Sequence, residues 1–182
     1  MVVLSNVFYD TDCFSCFVWV KREDIIFNIW NVVHISEMVY EELMSPLVPQ
    51  IGKRIQYLKK TGKIIVDKLK LSGEEIDIYR HLTDKENTKV IGKGEASTIA
   101  LVHCRGGIMA SNNLKDISTH IKRYNIKNIT TMDILYESYK RGYITKETGD
   151  SLYTSMINKK RKIGILNLSE YIKSKEKLQI WN

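Results

Sequence analysis

Four acidic side chains stand where apolar, β-prone runs give way to helix-forming ones. Asp10 closes "VVLSNVFYD", Glu42 lies in "EMVYEELMS", Glu95 follows the Gly-rich turn of "GKGEAS", and Asp116 comes just after Asn113 in "GIMASNNLKD". In open α/β sheets, ligands bind at the carboxyl ends of the strands. Acids brought to one such edge from distant parts of a chain cannot all ionise unless something offsets their repulsion. A hard divalent cation with oxygen ligands does this, and Mg²⁺ or Mn²⁺ is typical where carboxylates meet a substrate phosphate. Such an ion activates water and stabilises the leaving oxygen of a phosphodiester. Each acid also has an ordinary structural use. Asp10 can end a strand or cap a helix, and Glu95 in a first helical turn is favoured by the macrodipole. Asn113 and Asp116 have the spacing of a capping box, and Glu42 can be a surface residue beside Glu41.

The elements that would position these acids alternate along the chain. An opening strand ends at Asp10, and Thr11 and Asp12 can cap a helix from Cys13 to about Lys21. "NVVHIS" reads as a second strand, followed by a helix that stops near Pro46, with Val39 and Leu43 on its inward face. An amphipathic stretch from Ile51 to Lys60 ends at Gly62. "KIIVDKL" is a third strand, and a helix entered through Ser72 follows it. After the Gly-rich turn come the Glu95 helix, a strand from Gly107 to Ala110, and a helix from Leu114 to Arg123. That last helix has an apolar stripe of Leu114, Ile117 and Ile121. "NIKNIT" is a fifth strand, and two helices follow, the second starting at Thr145. Residues 163–168 read as a strand or extended piece, and about 169–182 as a peripheral amphipathic tail. The alternation predicts an α/β fold: a three-layer α/β/α domain, residues 1–182, with a central parallel sheet of about five strands.

Composition bounds the function. The 182 residues are 43% hydrophobic and 27% charged, with two prolines and no low-complexity tract, which suits one globular domain. No apolar run is long enough to span a bilayer. The first residues lack the basic region and cleavage site of a signal peptide, and three cysteines do not make a disulfide framework. A cytoplasmic protein without a membrane partner is expected. The net charge of +7 favours polyanions as partners, since a basic surface concentrates them. Within "NKKRK", Lys159, Lys160, Arg161 and Lys162 are candidates for phosphate contact, or else a solvated helix end that suits the macrodipole.

The segments "VFYDTDCFS", "HISEMVYEEL", "GKGEASTIALV" and "GIMASNNLKDI", in this order, resemble the successive motifs of PIN-domain nucleases. The resemblance covers nearly the whole chain, and "DILYESYKRGYITKETGDSLYTSM" is similar to the C-terminal part of one PIN subgroup. It implies a Mg²⁺- or Mn²⁺-dependent endoribonuclease with Asp10, Glu42 and Glu95 in its acidic pocket. At the fourth position, where many PIN domains have Asp, this chain has Asn113, whose amide oxygen can ligate a metal without adding charge. Asp116 can supply the missing carboxylate. Many small PIN proteins are toxins restrained by an antitoxin, so the implied partners are RNA, a cognate antitoxin and a second copy of the chain. The alternative is a degenerate PIN domain that binds RNA or regulates without cutting.

Two other motifs compete. Cys13 and Cys16 form a C-x-x-C after a strand, as in thioredoxin-like proteins, but their flanks are bulky and apolar, which favours a packing role. "GKGEAS" lacks the third glycine of a dinucleotide fingerprint and falls late in the chain. The cysteines and four histidines show no zinc spacing.

Overall fold

The computed structural model describes residues 6–86 and 90–180, with side chains to residue 177. The first half of the chain holds β1 (Val7–Tyr9), α1 (Thr11–Trp19), α2 (Asp24–Ile29), β2 (Val33–Ser36), α3 (Glu37–Leu43), α4 (Pro49–Lys60), β3 (Ile64–Asp67) and α5 (Glu74–Thr83). The second half holds α6 (Lys93–Arg105), β4 (Ile108–Ala110), α7 (Leu114–Arg123), β5 (Lys127–Ile129), α8 (Thr131–Lys140), α9 (Lys146–Asn158) and α10 (Leu168–Ile180).

The five strands form one parallel sheet in the order β3-β2-β1-β4-β5. The chain builds outward from β1 to β3, then crosses back to lay β4 on the other side of β1. Tyr9 pairs with Ala110 across that junction, so the loops after β1 and β4 leave in divergent directions from adjacent strand ends. In this topology the crevice at such a reversal is where ligands sit.

Alternation along the short strands feeds two cores. Val7, Tyr9, Val33, Ile35 and Ala110 pack on one face, against α1–α4 and α8–α10. Phe8 and Met109 point to the other face, against Ile78 and Leu82 of α5, Ile99 of α6 and Ile117 of α7. Both faces of the sheet are therefore covered by helices, as the α/β/α expectation required.

Local differences from the sequence expectation have physical causes. Asp10, not Thr11 or Asp12, is the N-cap of α1, and its carboxylate accepts from the Thr11 N–H at 2.8 Å. The short α2 was not expected; Ile25, Ile26 and Ile29 give it a buried stripe. Gly73, with φ +86, caps α5 in place of Ser72. Residues 163–167 are irregular rather than a strand. The tail is a helix that contributes Ile172 to the core, with Leu168 buried at its start. The first part of the expected opening strand, residues 2–5, lies outside the described residues.

Gly107 enters β4 with φ +125, and a Cβ there would stand 2.6 Å from the Asn6 carbonyl oxygen. That oxygen accepts from the Ile108 N–H at 2.9 Å and belongs to the chain entering β1. A side chain at Gly107 would thus push apart the two strands that flank the crevice. Gly106, at φ +74, would bring its Cβ near nothing. Gly107→Ala should lose more than about 1 kcal/mol of stability, and more than Gly106→Ala. Equal denaturant midpoints for the two variants would contradict this packing.

Candidate active site

The crevice is built around Asp10, which is 3% exposed at the carboxyl end of β1. Its carboxylate accepts from the Thr11 N–H and, at 3.1 Å, from the Ser111 hydroxyl at the end of β4. Burial drives its pKa well above the ordinary value, and Asp12, Glu95 and Glu42 add to the rise. The Thr11 N–H works against them without prevailing.

Asp12 sits one residue into α1, and helix geometry turns it towards the loop after β4. It accepts from the Asn112 N–H at 3.1 Å and from the Ser111 hydroxyl at 3.4 Å. Burial pushes its pKa up to about 6 despite these donors. The sequence pointed to Asp12 only as a helix cap. The signal for more was the Asp-x-Asp spacing at a strand–helix junction, which turns both acids to the same side of the entering chain.

Glu42 and Glu95 are delivered by α3 and α6. Glu95 is the third residue of α6 and accepts from the Gly92 N–H at 3.1 Å, half of a capping box, since Gly92 has no side chain to return the bond. Glu42 accepts from the Gly94 N–H at 3.2 Å and from the Thr11 hydroxyl. A Cβ on Gly94 would lie 3.0 Å from both Glu42 carboxylate oxygens, so a larger residue would push that carboxylate back from the Gly94 N–H. Burial raises the Glu95 pKa, with Asp116 and Glu42 adding and the bonds from Asn113 and Gly92 opposing.

Asn113 is the N-cap of α7, as its spacing with Asp116 suggested, but its side chain caps nothing. The amide nitrogen instead donates to Glu95 at 2.6 Å and to Asp116 at 2.8 Å, bridging two carboxylates. Asn112, which sequence reasoning passed over, is spent on structure. Its amide donates to the Thr131 hydroxyl and its oxygen accepts from the Thr131 N–H, both at 2.9 Å, tying β4 to the start of α8.

These groups open on a cleft of about 680 Å³. Asp12, Glu95, Asn113 and Asp116 line it together with the cations Lys115, Lys160, Arg161 and Lys162. Asp10 and Glu42 stand back from its wall, and Lys159 faces a different cavity. The structure thus brings Asp10, Glu42, Glu95, Asn113 and Asp116 into one neighbourhood. Among the described residues, however, no three His, Cys, Asp or Glu side chains are gathered closely enough to grip one ion. The carboxylates are near enough to raise one another's pKa and are held apart by their separate donors. The donor set, carboxylate oxygens with an amide, suits a hard cation that keeps several waters and takes only one or two protein carboxylates directly.

The C-x-x-C pair lies outside this chemistry. Cys13 and Cys16 are buried in the core, and burial pushes the Cys16 thiol up to about 12 and that of Cys13 well above its ordinary value. Thiols so placed behave as small apolar groups.

The folded protein binds the Asp12 proton more tightly than the unfolded chain does. Stability contributed by this site therefore falls as pH rises from the ordinary 3.8 to about 6, and stays low above that. Glu75, held low by Arg105, acts in the opposite sense at more acid pH, so the difference between variants is diagnostic. In metal-free buffer, Asp12→Asn should melt higher than wild type at pH 7, and the gap should close towards pH 4. A gap that is absent, or that widens on acidification, would show that Asp12 is not a desolvated acid.

No protein-family model matches the chain, and no curated protein matches it significantly.

Proposed function

We propose that the protein is a Mg²⁺- or Mn²⁺-dependent endoribonuclease of PIN type. One observation carries this: a desolvated carboxylate, Asp10, stands at the reversal of strand order with three further carboxylates near enough to raise its pKa. Structural caps do not need such mutual repulsion. A bound divalent ion would supply activation of water and stabilisation of the leaving oxygen.

One or two of Asp10, Asp12 and Glu95 would hold that ion directly, and the remaining acids, Glu42 and Asp116 among them, would offer charge through its water shell. Ser111 and the Thr11 N–H orient Asp10, and the Gly94 N–H and Thr11 hydroxyl orient Glu42. Lys160, Arg161 and Lys162 line the same cleft as the acids and would receive the phosphates of a strand laid along it. Such a small endonuclease is compatible with a toxin held by an antitoxin, and with a homodimer.

One feature favours a second reading, a degenerate PIN domain that binds RNA without cutting. Asn113 already satisfies Glu95 and Asp116 with two N–H bonds, so that part of the crevice is settled without a cation. The decisive assay is metal-dependent cleavage of a mixed RNA pool by wild type, Asp10→Asn, Asp116→Asn and Asn113→Asp. For a nuclease, Asp10→Asn should lose more than the ~10–100-fold typical of outer metal-site partners, and Asn113→Asp should keep or gain activity. Metal at a hundred times its Kd should also stabilise wild type by about 2.7 kcal/mol. Equal cleavage by all four proteins would mean a contaminant. Activity confined to Asn113→Asp would establish the degenerate domain.

A further inference from the structure

The basic run serves two cavities. Beside the acidic cleft, a second cavity of about 700 Å³ opens between α1, α4 and the end of α9. Trp19, Lys21, Lys53, Arg54, Tyr57 and Lys159 line it, and no acidic residue does. Lys159 belongs to this cavity and Lys160 to the acidic cleft. Consecutive Cα atoms are about 3.8 Å apart, so one turn of chain supplies lining to both cavities. Arg161 bridges them: it lines the cleft, and its guanidinium carbon lies 5.5 Å from the centre of a Trp19 ring.

The backbone at this junction is strained in a telling way. Among the described residues, the non-glycine positions with positive φ are Lys21, Asn125 and Lys160. Asparagine tolerates that region, but lysine does not favour it. Both lysines follow the end of a helix in the same motif. After α1, the Arg22 N–H donates to the Phe17 carbonyl at 3.0 Å and the Lys21 N–H to that of Val18 at 3.1 Å. After α9, the Arg161 N–H donates to the Met156 carbonyl at 3.1 Å and the Lys160 N–H to that of Ile157 at 2.8 Å. Glycine is the usual occupant of this position. Two helices thus end on a lysine where glycine would be easier, and each lysine lines one of the two cavities. Strain kept in this way marks a functional constraint more often than chance.

The charges are available. Arg54 is held at 3.0 Å by Glu23 and is partly neutralised, but Lys21, Lys53 and Lys159 form no ion pair among the described residues. Tyr57 is 56% exposed beside them, with the Arg54 guanidinium carbon 5.2 Å from its ring centre. Unpaired cations that track a backbone, with an exposed aromatic face for a base, are the two components of single-strand recognition.

We propose that this cavity is a second subsite for single-stranded nucleic acid. Lys21, Lys53 and Lys159 receive phosphates, Tyr57 stacks a base, and the same strand continues past Arg161 and Trp19 into the acidic cleft. The destination of the strand rests on the nuclease reading; the subsite is tested by binding alone.

The test is fluorescence anisotropy of a labelled 12-nucleotide single-stranded RNA with the full chain in EDTA, where metal-dependent cutting is prevented, over a range of salt. A 12-base-pair duplex is the second probe. The single strand should bind more tightly than the duplex. Lys21→Gly combined with Lys53→Gln should weaken it and reduce the slope of log K against log salt by about 1.4, at ~0.7 for each phosphate contact on a single strand. Tyr57→Ser should weaken it by about 5-fold or more. Lys21→Gly alone should melt no lower than wild type, which separates lost binding from lost fold. Equal affinity for strand and duplex, or an unchanged Kd and salt slope in the lysine variant, overturns the subsite. Failure of the wild type to cleave RNA in Mg²⁺ overturns the nuclease reading and leaves these binding results valid.

Discussion

Burying Asp10 at the end of the central strand sets the terms for everything around it. An ionised carboxylate out of water is costly unless it is paired and hydrogen-bonded, and among the described residues Asp10 receives only a backbone N–H and one hydroxyl. The start of α1 lends some positive potential, since helix N-termini favour negative charge. Three nearby carboxylates more than cancel it. The fold cannot avoid this arrangement, because the reversal of strand order puts the loops after β1 and β4 side by side, each with an acid or amide near its start. In such a place a proton or a cation must complete the site. A sheet whose strands followed in simple order would not have brought Asp10 and Ser111 together.

The approach of α6 to α3 is the second requirement. Gly94 lets the Glu42 carboxylate come against the α6 backbone, and Ser97 hydrogen-bonds to Ser36, the N-cap of α3, at 2.7 Å. The small residues Gly94, Ala96 and Ser97 therefore let the first turns of α6 pack along α3 closely enough to bring Glu95 and Glu42 into one acidic neighbourhood. Gly94 of "GKGEAS" is thus explained by its proximity to the Glu42 carboxylate, with no dinucleotide phosphate needed to account for it. The same physics serves many anion sites, where backbone N–H groups meet a ligand; here they meet the protein's own acids.

Much of the fold was legible in the sequence because it rests on periodicity. The helix from Leu114 to Arg123 and the α9 cap at Thr145 fall where their stripes and capping residues put them. The missed α2 is only six residues long, too short for a repeating stripe to stand out. The site was legible to the level of which acids meet, since strand ends in a parallel sheet share an edge. What each side chain does there was less legible. Asn113 had the spacing of a cap, yet its side chain is oriented by the two carboxylates its amide nitrogen donates to, and in that orientation its oxygen accepts no cap hydrogen bond; bonds to charged acceptors are the stronger ones. Asp12 was masked by the opposite error: a common capping residue turned out to be a desolvated acid. The division of the basic run between two cavities was also invisible, because it depends on the reversal in backbone direction at Lys160.

The cleft keeps its opposite charges apart. Among the described residues, no ion pair joins Lys160, Arg161 or Lys162 to Asp12, Glu95 or Asp116, although all six line the same space. Left alone, such walls gain by collapsing onto each other, but the acids are occupied by Asn113 and Asn112, and Arg161 is drawn away over Trp19. The separation costs Coulomb attraction that a simple structural role would have used. Acidic and basic side chains lining one cleft would each suit a different part of the proposed ligand: the cations its anionic backbone, the acids its divalent ion.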